Sequence, residues 1–327
     1  MTLSIAKPAL WRQIQRENFT SFQELAEFLE LSEENQGKLL QAPRFPLNLP
    51  RRLAAKMAKN DLSDPLFRQF VPLSEEAESW PGFVADPVCD GSFRKEKKLL
   101  HKYKGRVLWL TTSACAMHCR YCFRQNFPYE PSTTDFSPEM EYLRNDTEIK
   151  EVILSGGDPL SLSDAALMQL LFAFDSIPHL QRIRFHTRFP IGIPERIDRS
   201  LLELLSGIKK QMYFIIHCNH PQELDPEVIA SLRSLSALGI QLLNQSVLLK
   251  GVNDDEKTFL HLCESLVNAG VIPYYLHQLD PVKGTGHFFV SEERGHALIR
   301  YVQEHLSGYG VPRFVKEIAG QPSKTFL

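Results

Sequence analysis

No run of about 18 apolar residues occurs in this chain, so no segment is long and greasy enough to span a membrane as a helix. Net charge is nearly absent as well: 37 Lys and Arg against 39 Asp and Glu leave −2. Without a bulk field, nucleic acid and anionic lipid are poor partners. The one basic run, Arg94-Lys95-Glu96-Lys97-Lys98, is broken by a glutamate and reads as a solvated face. The first residues lack a basic region followed by an apolar stretch, so no secretory leader is expected. Cysteine is scarce, with six in 327 residues. Cys115, Cys119 and Cys122 fall within eight residues, while Cys89, Cys218 and Cys263 are scattered. That is not a disulfide framework, and it predicts a reducing cytoplasm. Length and composition, 43% hydrophobic and 23% charged, suit one large core with an appendage.

What is present divides the chain. Up to about residue 100, SFQELAEFLEL and ENQGKLLQAP carry apolar residues at helical spacing, with Ser21 and Glu24 as a capping box. QFVPLSEEAESWPGFVADPVCDG is rich in proline and acid and reads as an extended connector. Residues 1–100 are therefore expected to be a small helical domain plus linker. From Arg106 six apolar runs alternate with amphipathic stretches: RVLWLTT, EVILSG, RIRFHT, MYFIIH, IQLLNQSV and PYYLHQL. Between them lie DAALMQLLFAF, ERIDRSLLELL, PEVIASLRSLSALG and DEKTFLHLCESLVNAG, and SEERGHALIRYVQEHL follows. Gly239 and Gly270 stand where helices should end. This alternation predicts an α/β fold with a parallel sheet. Its count suits a partial (βα)6 barrel over 101–310, with a C-terminal segment at 311–327.

Polar clusters follow the apolar runs: Ser155-Gly156-Gly157-Asp158, His186-Thr187-Arg188, His217-Cys218-Asn219-His220, Asn244-Gln245-Ser246 and His277-Gln278-Leu279-Asp280. Chemistry in parallel α/β folds sits at the C-terminal strand ends, so five such clusters on one rim predict an active site there.

Cys115-Ala-Met-His-Cys119-Arg-Tyr-Cys122 lies just past the first run. Three thiolates at this spacing suit a [4Fe–4S] cluster with one iron left open. A structural zinc site needs four closed ligands. His118 could be the fourth, but no second CxxC pair exists.

CxxxCxxC after the first strand, with SGGDPL after the second, resembles the radical S-adenosylmethionine (SAM) superfamily. LLHKYKGRVLWL, CRYCFR, SGGDPL, FHTRFPIGIP, HCNHP, LLNQSVLLKGVND, SGYGVP and PSKT follow the order found in lysine 2,3-aminomutases, over most of the chain after residue 100. The short C-terminus ending GQPSKT is similar to the branch that supplies β-lysine for elongation factor P.

The resemblance implies a SAM site in which Gly156, Gly157 and Asp158 form the turn, joined by His217 and Gln245. It implies pyridoxal phosphate (PLP) carried covalently by Lys324, with Tyr103 and Arg106 near the phosphate. His277 stands where larger members have tyrosine. It implies L-lysine as substrate, with Arg124 on the carboxylate and Asp280 and Glu317 on the ε-ammonium. The implied reaction takes hydrogen from the β-carbon and moves nitrogen from the α- to the β-carbon, converting (S)-α-lysine to (R)-β-lysine. A lysyl-ligase would then attach this product to elongation factor P. Residues 325–327 supply no named group, so their loss is expected to be milder than loss of Lys324. The rivals are an aminomutase for another amino acid such as glutamate, which would want a cation at 280, and a non-catalytic iron–sulfur or zinc docking protein.

Overall fold

A computed structural model describes residues 8–129 and 135–327. Residues 1–7, the start of the segment read as lacking a leader, lie outside it. One ten-stranded sheet forms the frame: β1 (Arg94–Glu96), β2 (Leu99–Tyr103), β3 (Arg106–Thr112), β4 (Glu151–Gly156), β5 (Arg182–Thr187), β6 (Gln211–Ile216), β7 (Gln241–Val247), β8 (Ile272–His277), β9 (Arg313–Lys316) and β10 (Thr325–Phe326). β3 through β9 are parallel, and each pairs with the next in sequence. A doubly wound sheet reverses direction at a switch point. This one never does, which is barrel winding. No pairing joins β1 to β10 among the described residues, so the barrel is partial.

The six expected strands are β3–β8. Four more extend the sheet: β1 and β2 antiparallel on one side, β9 and the antiparallel β10 on the other. Residues 94–100, which the sequence groups with the linker, thus open the sheet. Their short runs carry Lys and Arg rather than the apolar pattern that marks a buried strand.

The crossover helices follow their caps. Asp164–Asp175 starts at Ser163, whose side chain accepts from the Ala166 amide, and buries Leu167, Leu170, Leu171 and Phe174 on one stripe. Pro226–Ser236, Glu256–Asn268 and Glu292–His305 begin at Asp225, Asp255 and Ser291 in the same way. Gly239 and Gly270 follow two of them with φ of +77° and +80°, the left-handed geometry that favours glycine. ERIDRSLLELL is not one helix. Pro194–Arg196 makes a separate turn, and Asp198 caps the helix Arg199–Ser206.

Before the sheet come short helices, Leu10–Arg16, Phe22–Phe28, Glu33–Gln36, Arg51–Ala54 and Pro65–Phe70. Ser21 caps the second, accepting from Glu24, but ENQGKLLQAP yields only one helical turn. These helices share one apolar core with the barrel; Trp11 meets Phe189 edge-on at 5.4 Å. The connector bridges back over the sheet, where Val84 exchanges backbone hydrogen bonds with Pro281 and Lys283. Among the described residues, no helix is long and apolar enough to cross a membrane.

Candidate active site

Because the strands are parallel, the loops after β3–β8 gather on one rim. The loop after β3 carries the three cysteines, all half-buried. It is latched to the turn after β4. The Gly157 amide donates to Thr112 O (2.6 Å), the Asp158 amide to Ala114 O (2.8 Å), and Ser161 Oγ to Ala114 O (3.2 Å). A Cβ on Gly157 would lie 2.3 Å from Ala114 O, and one on Gly156, at φ +110°, would lie 2.8 Å from Thr112 O. The glycines therefore let the turn and the cysteine loop touch.

Asp158 is buried and already committed. Its carboxylate accepts from Thr187 Oγ1 and from the Leu160, Arg188 and Phe189 amides, tying the β4 turn to the end of β5. Burial raises its pKa against these bonds.

The N-terminal helices brace the same loop, a role the sequence did not show. Asn18 Nδ2 donates to Ala116 O, Gln15 Nε2 to Cys115 O, the His118 amide to Asn48 O and the Arg120 amide to Gln69 O. Arg120 is fully buried and pairs with Glu76 at 2.6 Å. His118, the possible fourth zinc ligand, instead meets Pro46 O through Nδ1 at 2.8 Å and stacks on Phe45.

Burial pushes the Cys115 thiol well up, with Asp158, Cys122 and Cys119 adding to the effect. Cys122 is pushed up to about 11 by burial and by Cys119. Three soft donors this close repel one another as thiolates. A multi-iron cluster, a shared cationic centre, would remove that penalty, so the set fits one.

A second group gathers around Glu317, across the rim from the cysteine loop. Glu317, just past β9, accepts from Tyr103 Oη and pairs with Lys102 Nζ at 2.6 Å; Lys324 Nζ approaches its other oxygen at 3.2 Å. Arg106 lies over the Tyr103 ring at 4.5 Å. Lys324 is not a frayed terminus. Thr325 and Phe326 pair with Lys316 and Val315, and the Leu327 amide donates to Phe314 O. The sequence gives 325–327 no named group and a milder expected loss than Lys324, but Thr325 and Phe326 form the strand next to Lys324. Burial lowers the Lys324 pKa, while Glu317 and Asp280 pull it back. An amine eased toward its neutral form suits attack on an aldehyde, so PLP fits this lysine.

Asp280 faces the same space. Burial drives its pKa up to about 7; Glu317 and Asp90 add to the rise and Lys324 opposes it. Arg124 is buried and paired with Asp90, its Nη2 and Nε lying 2.9 and 3.0 Å from Oδ2, while Nη1 donates to Ser155 Oγ at 3.1 Å. Asp90 and Lys102 were missed because their partners lie 34 and 215 residues away.

Between these groups stand His186, His217, His277 and Gln245. Gln245 Nε2 pairs with His277 Nε2 at 3.2 Å, and the rings of His186 and His217 lie 5.6 Å apart. Burial, then Arg188, Lys324 and Arg124, holds the His217 pKa down at about 3. His186 Nε2 and His217 Nε2 are buried and have no hydrogen-bond partner among the described residues. Orphaned polar atoms on the rim are what a polar cofactor such as SAM would satisfy.

Comparison with known proteins agrees with this layout. A "4Fe-4S single cluster domain" model matches residues 103–183. An L-lysine 2,3-aminomutase of Haemophilus influenzae is 38% identical over 319 residues, covering 96% of this chain and 94% of the relative. One from Escherichia coli is 41% identical over 286 residues, covering 86% and 83%, and one from Clostridium subterminale is 32% identical, covering 96% and 77%. Among solved structures, SuiB of Streptococcus suis bound to S-adenosylmethionine aligns with a TM-score of 0.50 at 14% identity, over 66% of this chain and 51% of that one. A radical SAM methyltransferase from Sphaerobacter thermophilus aligns at 0.50 and 18%, over 68% and 69%.

Proposed function

This chain belongs to the lysine 2,3-aminomutase family of radical SAM enzymes, and on that premise we propose that it is an isomerase moving the α-amino group of L-lysine to the β-carbon. The observation that carries the reading is the placement of Lys324. Three residues from the end, it is held by a strand pairing and by Glu317, beside Asp280 and across the rim from a cysteine loop fit for a cluster.

When bound, the cluster and SAM supply a carbon-centred radical, and PLP supplies an electron sink for the migrating nitrogen. The chain's own residues divide the remaining work. Cys115, Cys119 and Cys122 would ligate the cluster. Gly156 and Gly157 would present the turn to SAM, with Asp158 shaping that turn from beneath and His217 and Gln245 offering ring and amide nitrogens. Lys324 would carry PLP, with Arg106 and Tyr103 toward its phosphate. The Arg124 guanidinium would exchange the Asp90 carboxylate for that of lysine, a bidentate match. Asp280 and Glu317 would receive the ε-ammonium, two carboxylates offsetting the desolvation of one cation. In the free chain Lys324 itself fills that role, so its ammonium must withdraw for the substrate's to enter. The walls of the barrel would keep water away from the bound groups.

The same reading makes the product free (R)-β-lysine in the cytoplasm, passed to a ligase that modifies elongation factor P. Asp280 opposes the glutamate alternative, since a carboxylate there would repel a substrate carboxylate.

The test is selective perturbation of PLP absorbance. Lysine should shift the spectrum of the PLP-loaded chain and glutamate should not. Borohydride reduction followed by peptide mapping should place the label on Lys324. A response to glutamate alone, or a label on another lysine, would overturn the proposal.

A further inference from the structure

Arg188, at the end of β5, is 5% exposed, and no role in substrate or cofactor binding has fallen to it. Its guanidinium is divided between two jobs. Nη2 donates to Glu223 Oε2 and Gln69 Oε1, both at 2.7 Å. Nη1 donates to Tyr121 Oη and, at 3.0 Å, to Cys119 Sγ. The plane lies over the Phe70 ring at 4.5 Å. Glu223 and Gln69 are fully buried, and Glu223 Oε1 is held by the Asn219 and His220 amides and Gln69 Nε2. The arginine backbone is pinned too, its amide donating to Asp158 Oδ2 at 2.8 Å.

A buried Arg–Glu pair alone would be mere scaffolding. Here the second nitrogen of the fork reaches the sulfur of a cluster cysteine, and three separate elements fix it there. We infer that Arg188 is a positioning residue that raises the reduction potential of the iron–sulfur cluster through Cys119. The inference rests on the cluster reading above. Reduction places an added electron on iron and its sulfur ligands. A donated N–H bond and a nearby positive charge stabilise that state over the oxidised one. Phe70 and Tyr121 cover the guanidinium, so bulk water screens the charge little. Gln69 and Phe70 belong to the helix Pro65–Phe70, so the N-terminal segment would act on the redox chemistry by holding this arginine.

The test is an EPR-monitored redox titration of the anaerobically reconstituted full chain without SAM, with iron content measured in parallel. Arg188→Gln should keep its iron and lower the midpoint, on the order of a tenfold loss in the reduction equilibrium, ~59 mV for one electron. Arg188→Lys, which keeps the charge without the fork, should fall between it and wild type. Glu223→Gln should move the midpoint the other way, because less of the arginine's charge is neutralised. If Arg188→Gln holds iron with an unmoved midpoint, the inference is overturned. If that variant loses its iron, Glu223→Gln decides: an upward shift supports the inference and an unchanged midpoint overturns it. A wild-type chain that binds no cluster would instead overturn the reading on which the inference rests.

Discussion

Replacing Gly157 by alanine probes the joint between the SAM turn and the cysteine loop. The new methyl would lie 2.3 Å from Ala114 O, 2.7 Å from Ser113 C and 2.8 Å from Ala114 C. All three are backbone atoms, so no side chain can swing aside, and the loop itself must move. Overpacking of this kind costs about 1–3 kcal/mol. The displacement also strains the Gly157-to-Thr112 and Asp158-to-Ala114 hydrogen bonds, roughly 0.5–1.5 kcal/mol each. The total is about 2–6 kcal/mol, a large part of the ~5–15 kcal/mol that holds a domain folded. The effect should be local as well, because Cys115 follows Ala114 directly. Gly157→Ala should reconstitute with substoichiometric iron and melt earlier. Gly239→Ala is the control: its φ of +77° costs about 1–2 kcal/mol, but its Cβ would meet nothing within 4 Å, so iron should be retained. A Gly157→Ala protein with full iron and a wild-type melt would refute the contact argument.

Two further outcomes follow from the pocket. Asp280 titrates near 7 in the free folded chain, above its usual range, so across roughly pH 4–7 the folded state holds the proton more tightly than the unfolded state. The stability from this group is therefore present at low pH and lost as pH rises toward 7. Urea titrations should show a decline over that window that Asp280→Asn flattens. Lysine binding, measured by calorimetry, should strengthen over the same window, and a flat wild-type profile would contradict the assignment. Deleting residues 325–327 removes β10 and should abolish borohydride-trapped PLP as fully as Lys324→Ala does, with iron content unchanged. A truncated chain that still traps PLP at Lys324 would show that the strand is not what fixes it.

What the sequence reveals here is local and periodic. β3–β8 were legible because their apolar runs alternate with amphipathic stretches, and the cysteine loop because three soft ligands fall within eight residues. The polar clusters after the strands marked the rim for the same reason. The remainder depends on pairings across long separations. Lys102 has no signal of its own, and its meaning comes from Glu317 on the far side of the barrel. Arg124 was legible as a cation, whereas its occupation by Asp90 was not. β10 is two residues long and exists only against β9, so the pairing that anchors Lys324 was not legible. ERIDRSLLELL has helical spacing throughout, but the end of the turn Pro194–Arg196 and the Asp198 cap divide it. Arg188 stood in a visible cluster, yet only the fold brings it to Cys119.

The most direct test of the central claim is product analysis. The reconstituted, chemically reduced chain is incubated anaerobically with SAM, PLP and L-lysine, and the amino acids are separated on a chiral column. The account predicts β-lysine, formed only when reductant and SAM are both present and absent with Lys324→Ala or Cys119→Ala. Lysine recovered unchanged by a chain with full iron and PLP, or β-lysine formed without SAM, would contradict it.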